Sequence, residues 1–312
     1  MSKKLKNKNN LWEKSSNIIN INKQITLLKQ NKRKIHKDEE LYYNDYQNQL
    51  DIKQYYQPIA DLDLSRIQLF YKFKELLNKT HKNRIPYFIS KDLYLYTWVD
   101  LQPDGTIKSI YSGEERNPQS LIMNDFEIIS QKYDDFQLFL QKIKKKEFET
   151  FRQLKDFEVK LKLNTEHIVP QSWFGGLEPM KGDLHHLFTC NPKCNISRSN
   201  FPYTDFTFYK PESPDEPIQN HCGIAVGGRF EPEYGKGIVA RAMLYFLIRY
   251  PRSIKKSFRI QIDIPLLIRW HQEFPVSLSE KHRNQAIYQI QGNRNPFIDL
   301  PKLVEQIEFP NY

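Results

Sequence analysis

The chain has 312 residues, 47 Lys and Arg against 37 Asp and Glu for a net charge of +10, and three cysteines. It is long enough to bury a sizeable core, and no run of eighteen apolar residues is present to cross a membrane as a helix. Three cysteines exclude a dense disulfide framework, and the first thirty residues lack the apolar centre of a secretory signal, so a reduced, intracellular (cytoplasmic) protein is expected.

The charge is concentrated at one end. Residues 1–37 hold ten Lys and one Arg against the single acid Glu13, so residues 38–312 balance to zero. Two roles fit such a tail: attraction to nucleic acid by phosphate neutralisation, or a solvated segment with no partner. Residues 1–60 are rich in Asn, Lys and Gln and read as a disordered or loosely helical extension, with the folded domain over 61–312. At Arg66–Thr80, Ile67, Phe70, Phe73, Leu76 and Leu77 recur at helical spacing behind a capping Ser65. Leu93–Val99 and Thr106–Tyr111 read as strands, joined as a hairpin through Gln102-Pro103-Asp104-Gly105. A charged helix is expected over Gln131–Leu154. The alternation of Phe157–Leu163 then predicts a strand leading into Asn164-Thr165-Glu166-His167.

A second strand is expected at Gly182–Thr189 and a short helical turn at Asn191–Asn200. Mostly loop follows over 201–232, then helices at Lys236–Tyr250, Ile264–Phe274 and Leu278–Ile290 and a turn-rich close at 291–299. Runs of both kinds make this an α+β chain.

The order strand, turn, strand, short helix brings together Glu166, His167, His185, His186 and Asn195. A carboxylate and an amide oxygen are hard donors suited to Mg²⁺ or Mn²⁺, which keeps several waters and takes few protein ligands. An imidazole with a pKa of about 6.5 is largely neutral in the cell and can take a proton from water. Those parts suffice for metal-assisted hydrolysis of a phosphodiester. Neighbours on a regular strand face opposite sides, so a bend or bulge is expected at the Glu166-His167 pair. Of the adjacent His185 and His186, the one facing inward is read as structural support. Asn195 has a second reading, as a helix cap.

Asn164-Thr165-Glu166-His167-Ile168-Val169-Pro170-Gln171-Ser172 resembles the signature of the endonuclease I family, nonspecific nucleases built on a ββα-metal (His-Me) finger. The resemblance continues at Asp183-Leu184-His185, at Asn195 before Arg198-Ser199-Asn200, at Gly237–Arg241 and at Gln291–Asn295, and Tyr111-Ser112-Gly113 fits it too. It covers roughly residues 66–310. It implies a ββα-metal core with surrounding helices and a β-hairpin, His167 as the general base and Glu166 and Asn195 as the ligands of one Mg²⁺-type ion. DNA, or alternatively RNA, is the implied substrate. Secreted members carry several disulfides and an arginine between the two strands that holds the cleaved phosphate. Here the link Trp173–Gly182 has Lys181 as its only cation, which leaves Arg198, Arg241 or Arg294 to take that role.

Cys190, Cys194 and Cys222, with His221, offer donors for a structural Zn²⁺. Two rival functions therefore stand beside the nuclease: a nucleic-acid-binding module with a silent site, and a zinc-stapled scaffold that interacts with proteins.

Overall fold

The computed structural model describes residues 21–60, 62–143, 164–211 and 222–310, with backbone alone over 132–143. The expected strand Phe157–Leu163, the end of the expected helix at 144–154, and His221 lie outside these residues. Among the described residues, long helices and three two-stranded antiparallel sheets make an α+β fold. No helix among the described residues is long and apolar enough to cross a membrane.

Residues 21–60 differ from the loose extension expected of them. They are helical over 21–37 (α1) and again over Asp45–Ala60 (α2). Ile21, Leu28 and Ile35 recur every seven residues, so they share one face of α1, and all three are buried. That stripe, with Tyr42, packs on Leu95, Val99, Leu121 and Ile287. From α2, Tyr56 donates to Asp299 across the fold at 2.9 Å. The apolar positions are so sparse among Asn, Lys and Gln that composition conceals their period.

Helix α3 (Arg66–Thr80) has its expected bounds, closed at its start by a reciprocal capping box between Ser65 and Gln68. The next segment does not. Ser90–Val99 (α4) is π-helical, where a strand was expected. Leu95, Tyr96, Thr97 and Val99 are all buried, and a helix enclosed on most sides shows the same unbroken run of aromatic and branched residues as a buried strand. The turn itself is present: Gln102 and Thr106 are joined at 2.9 Å, and Leu101 bridges Ile107. The hairpin forms one step later, between Ile107–Lys108 (β1) and Glu115–Arg116 (β2). Helix α5 (Pro118–Ile143) then begins well before Gln131.

Thr165–His167 (β3) pairs antiparallel with Leu187–Thr189 (β4), and Pro192–Arg198 (α6) follows. A third hairpin, Ile224–Val226 (β5) with Arg229–Glu231 (β6), lies in the stretch read as loop. Its turn is Gly227-Gly228, both at positive φ, the conformation a two-residue hairpin loop requires. The last long helices are α7 (Lys236–Arg249), α8 (Ile264–Glu273) and α9 (Leu278–Gln291), each within a residue or two of expectation. In the closing segment Asn295 caps a short helical turn, Pro296–Asp299.

Helix α7 is buried from Val239 to Arg249 on every side, and forms the centre of one core with α3, α8 and Trp173. A second core gathers α1, α4 and α9. The β3–β4 pair is wedged between them: Phe188 points into the first and its neighbour Leu187 into the second. Two cores thus grip the strand that carries Glu166 and His167.

Arg241, inside α7, is closed in a two-pronged ion pair with Glu280 of α9, at 2.6 and 2.9 Å. Removing one partner of a buried pair leaves the other charge stranded. Arg241→Ala should therefore lower the unfolding free energy by about 3–5 kcal/mol, read by urea denaturation. A change below about 1 kcal/mol, the size expected of an exposed pair, would contradict this.

Candidate active site

The pairing of β3 with β4 runs without a bulge through all three residues: Thr165 opposite Thr189, Glu166 opposite Phe188, His167 opposite Leu187. The expected kink at the Glu-His pair is absent. The chain leaves the sheet one step later, where Pro170 opens the short turn Gln171–Phe174. Consistent with alternation along a regular strand, the two side chains meet different neighbours.

Glu166 is buried and accepts a hydrogen bond from the hydroxyl of Tyr111 at 2.9 Å. Arg198 lies 3.5 Å from the same oxygen, Oε1. Asn195 and Arg198 stand one turn apart on α6 and tie the helix along β3. The Asn195 amide nitrogen donates to the Thr165 carbonyl at 2.8 Å, and Arg198 donates to the Ile168 carbonyl at 2.7 Å. The cap of α6 is Asn191, whose side chain accepts from Lys193, so Asn195 does not serve as the cap. The helix is anchored beyond its own turn by a disulfide from Cys194 to Cys222.

His167 is held from both ring nitrogens. Nε2 donates to the Lys181 carbonyl at 2.8 Å, which fixes the tautomer, and Nδ1 accepts from the Gln171 amide at 3.3 Å. The Tyr87 ring stands against it, 5.1 Å between centroids. Burial, reinforced by the neighbouring His186, lowers its pKa to about 3, so the ring is neutral. His186 donates in turn to the Met180 carbonyl, one residue before the carbonyl that holds His167.

The other expected residues separate cleanly. His185 and His186 lie in a short 3-10 turn before β4 rather than in the strand, and both are buried. Arg241 and Arg294 are engaged within the fold: the first is paired to Glu280, and the second to Asp299 at 2.7 and 2.8 Å and to Asn48. Of the three arginines only Arg198 adjoins Glu166. The zinc set of Cys190, Cys194 and Cys222 does not form, because two of its sulfurs are bonded to each other and Cys190 remains a buried thiol. Residues that the sequence reading passed over are Tyr203, whose hydroxyl is 2.8 Å from that of Tyr111, and Gln171. Gln171 stood inside the recognised signature, but nothing in spacing alone distinguishes a contact to the histidine from a surface amide.

A family model described as Endonuclease I matches residues 69–302. Among curated proteins, the chain is 31% identical over 159 residues to an extracellular ribonuclease of Bacillus amyloliquefaciens, 46% of this chain and 53% of that protein. It is 27% identical over 161 residues to an extracellular deoxyribonuclease of Aeromonas hydrophila, 44% of this chain and 66% of that protein. A periplasmic deoxyribonuclease of the same organism matches at 29% over 161 residues, 44% of this chain and 63% of that protein. The chain thus spans between half and two thirds of the length of these relatives. Relatives named extracellular or periplasmic overturn the expectation of a cytoplasmic protein, and the disulfide overturns that of a reduced one.

Two outcomes follow from this geometry. Closing the loop from Cys194 to Cys222 removes freedom from the unfolded chain, so Cys222→Ser should cost on the order of 3–4 kcal/mol in unfolding free energy. Urea denaturation showing no loss would contradict that. The histidines His185 and His186 are buried, and burial lowers the pKa of each, to about 4 for His185. The unfolded chain therefore binds more protons below about pH 6.5, and each such histidine costs about 1.4 kcal/mol of stability per pH unit until its folded pKa is reached. The urea midpoint should fall steadily from pH 7 to pH 4.5. A midpoint constant across that window would contradict the assignment of these rings as neutral.

Proposed function

The chain belongs to the endonuclease I family, and on that premise we propose that it is a metal-dependent endonuclease hydrolysing phosphodiester bonds of DNA, with RNA as a second substrate. In this reading β3, β4 and α6 are the ββα-metal core. The observation that supports it is the seating of α6 along β3, with the Asn195 amide bonded to the Thr165 carbonyl at 2.8 Å and Arg198 of the same helix 3.5 Å from the Glu166 carboxylate.

The donor set fits the ion. One carboxylate and one amide oxygen are hard ligands, and the bond to the Thr165 carbonyl engages the nitrogen of the Asn195 amide rather than its oxygen. Glu166 and Asn195 would hold Mg²⁺ or Mn²⁺, which when bound polarises the phosphodiester and offsets charge on the leaving oxygen.

His167 does the proton work. With its Nε2 proton committed to Lys181, the lone pair is on Nδ1. A water in the place of the Gln171 amide would give its proton to that nitrogen. In the free protein burial keeps the ring neutral. An anionic phosphate drawn against it favours the charged form and raises its basicity as substrate binds.

Both ribonucleases and deoxyribonucleases stand among the relatives, which supports a site that reads the backbone rather than the base. Their extracellular and periplasmic places, together with the disulfide, support action in an oxidising compartment. The silent-module reading makes a different forecast, namely affinity without cleavage.

Plasmid digestion with Mg²⁺, Mn²⁺ or EDTA tests the reading. The wild-type protein should cut with either ion and not with EDTA, and His167→Ala should lose about 10²–10⁴-fold in rate. Cleavage by His167→Ala at the wild-type rate would remove the mechanism, and binding with no metal-dependent cleavage by the wild type would favour the silent module.

A further inference from the structure

Backbone strain is concentrated around Glu166. Among the described residues, the non-glycine positions at positive φ are Tyr111, at +78°, and Ser199, at +54°. Each is bound up with a neighbour of the Glu166 carboxylate. Tyr111 is itself the hydroxyl donor to Oε1, and Ser199 directly follows Arg198, the cation beside the same oxygen. A bulky L-residue in this conformation costs about 1–3 kcal/mol and persists only where the surroundings over-determine it.

The surroundings do so at Tyr111. Its carbonyl accepts from the Tyr234 amide at 2.9 Å, and the residue before it donates from its own amide to the Thr189 carbonyl, the end of β4, at 2.9 Å. The ring is fully buried beside Phe230. A glycine would sit in this backbone without strain, but it would carry no hydroxyl. What the strained tyrosine adds is the bond to Glu166.

That bond is part of a short chain of donors. The single proton of Tyr111 goes to the carboxylate, which cannot return one, so the Tyr203 hydroxyl at 2.8 Å must donate to the Tyr111 oxygen. The Arg198 guanidinium lies 5.0 Å from the centre of the Tyr203 ring and 3.5 Å from Oε1. Tyrosine, tyrosine and arginine thus converge on one carboxylate oxygen in a buried site.

We propose that Tyr111, supported by Tyr203 and Arg198, is a positioning residue that fixes the Glu166 carboxylate in the orientation in which it holds the divalent cation. This rests on the reading of Glu166 as a cation ligand. Holding Oε1 on one side sets the plane of the carboxylate, and with it the direction of Oε2. A ligand fixed before the ion arrives loses no rotamer freedom on binding, and groups that orient metal ligands in this way are worth about 10–100-fold in affinity.

The test measures Mn²⁺ binding to the full chain by titration calorimetry, with no nucleic acid present, beside thermal unfolding of each metal-free protein. Glu166→Gln should abolish binding. Tyr111→Phe, which keeps the ring and removes only the hydroxyl, should weaken it about 10–100-fold while the unfolding transition stays cooperative. Tyr203→Phe leaves the Tyr111 donor in place and should weaken binding several-fold.

Wild-type affinity in Tyr111→Phe, with binding lost in Glu166→Gln, overturns the positioning role and leaves the cation seat standing. Wild-type affinity in Glu166→Gln overturns the seat and the inference together. If Tyr111→Phe does not fold, Tyr203→Phe decides, and unchanged affinity there overturns the proposal.

Discussion

Everything at this site depends on a short helix lying along a short strand. Two bonds from α6 hold it there, from Asn195 to the Thr165 carbonyl and from Arg198 to the Ile168 carbonyl, and they straddle the Glu166-His167 pair. Seven residues of helix cannot hold such a place by their own propensity. The placement is therefore imposed from outside, by the Cys194–Cys222 disulfide, by the Asn191 cap and by the Asn191 amide that donates to Ser109 in the hairpin region. The strand is equally short and is held by the two cores that meet across it.

The same arrangement separates the tasks of the two neighbouring residues. An unbulged strand sends Glu166 to the side of Tyr111 and Arg198, and His167 to the side of Lys181, Gln171 and His186. One side keeps a carboxylate beside an arginine and a tyrosine hydroxyl. The other is stripped of water and keeps an imidazole neutral.

Much of this was legible in the amino-acid sequence, for reasons that differ by element. The helices α3, α7, α8 and α9 announce themselves through caps and apolar spacing, and the blocks around Glu166, Asp183 and Asn195 carry the family. Helix α1 was hidden because three buried residues spaced seven apart suffice when a large domain supplies the other half of the contact. Helix α4 was hidden for the opposite reason, since burial on most sides erases the period. The arginines show where local reading ends. Arg198, Arg241 and Arg294 are alike as letters, yet Arg241 and Arg294 are bound to acids at positions 280 and 299 and only Arg198 reaches Glu166. The cysteine pairing was equally invisible, because 28 residues of chain separate the two sulfurs.

The central claim is that Glu166 and Asn195 form a seat for one divalent cation. Anomalous diffraction from crystals soaked in Mn²⁺ tests it most directly. The account predicts one strong peak within direct coordination distance of a Glu166 carboxylate oxygen and of the Asn195 amide oxygen, with water completing the shell. A peak held by other residues, with both of these side chains uninvolved, would contradict it.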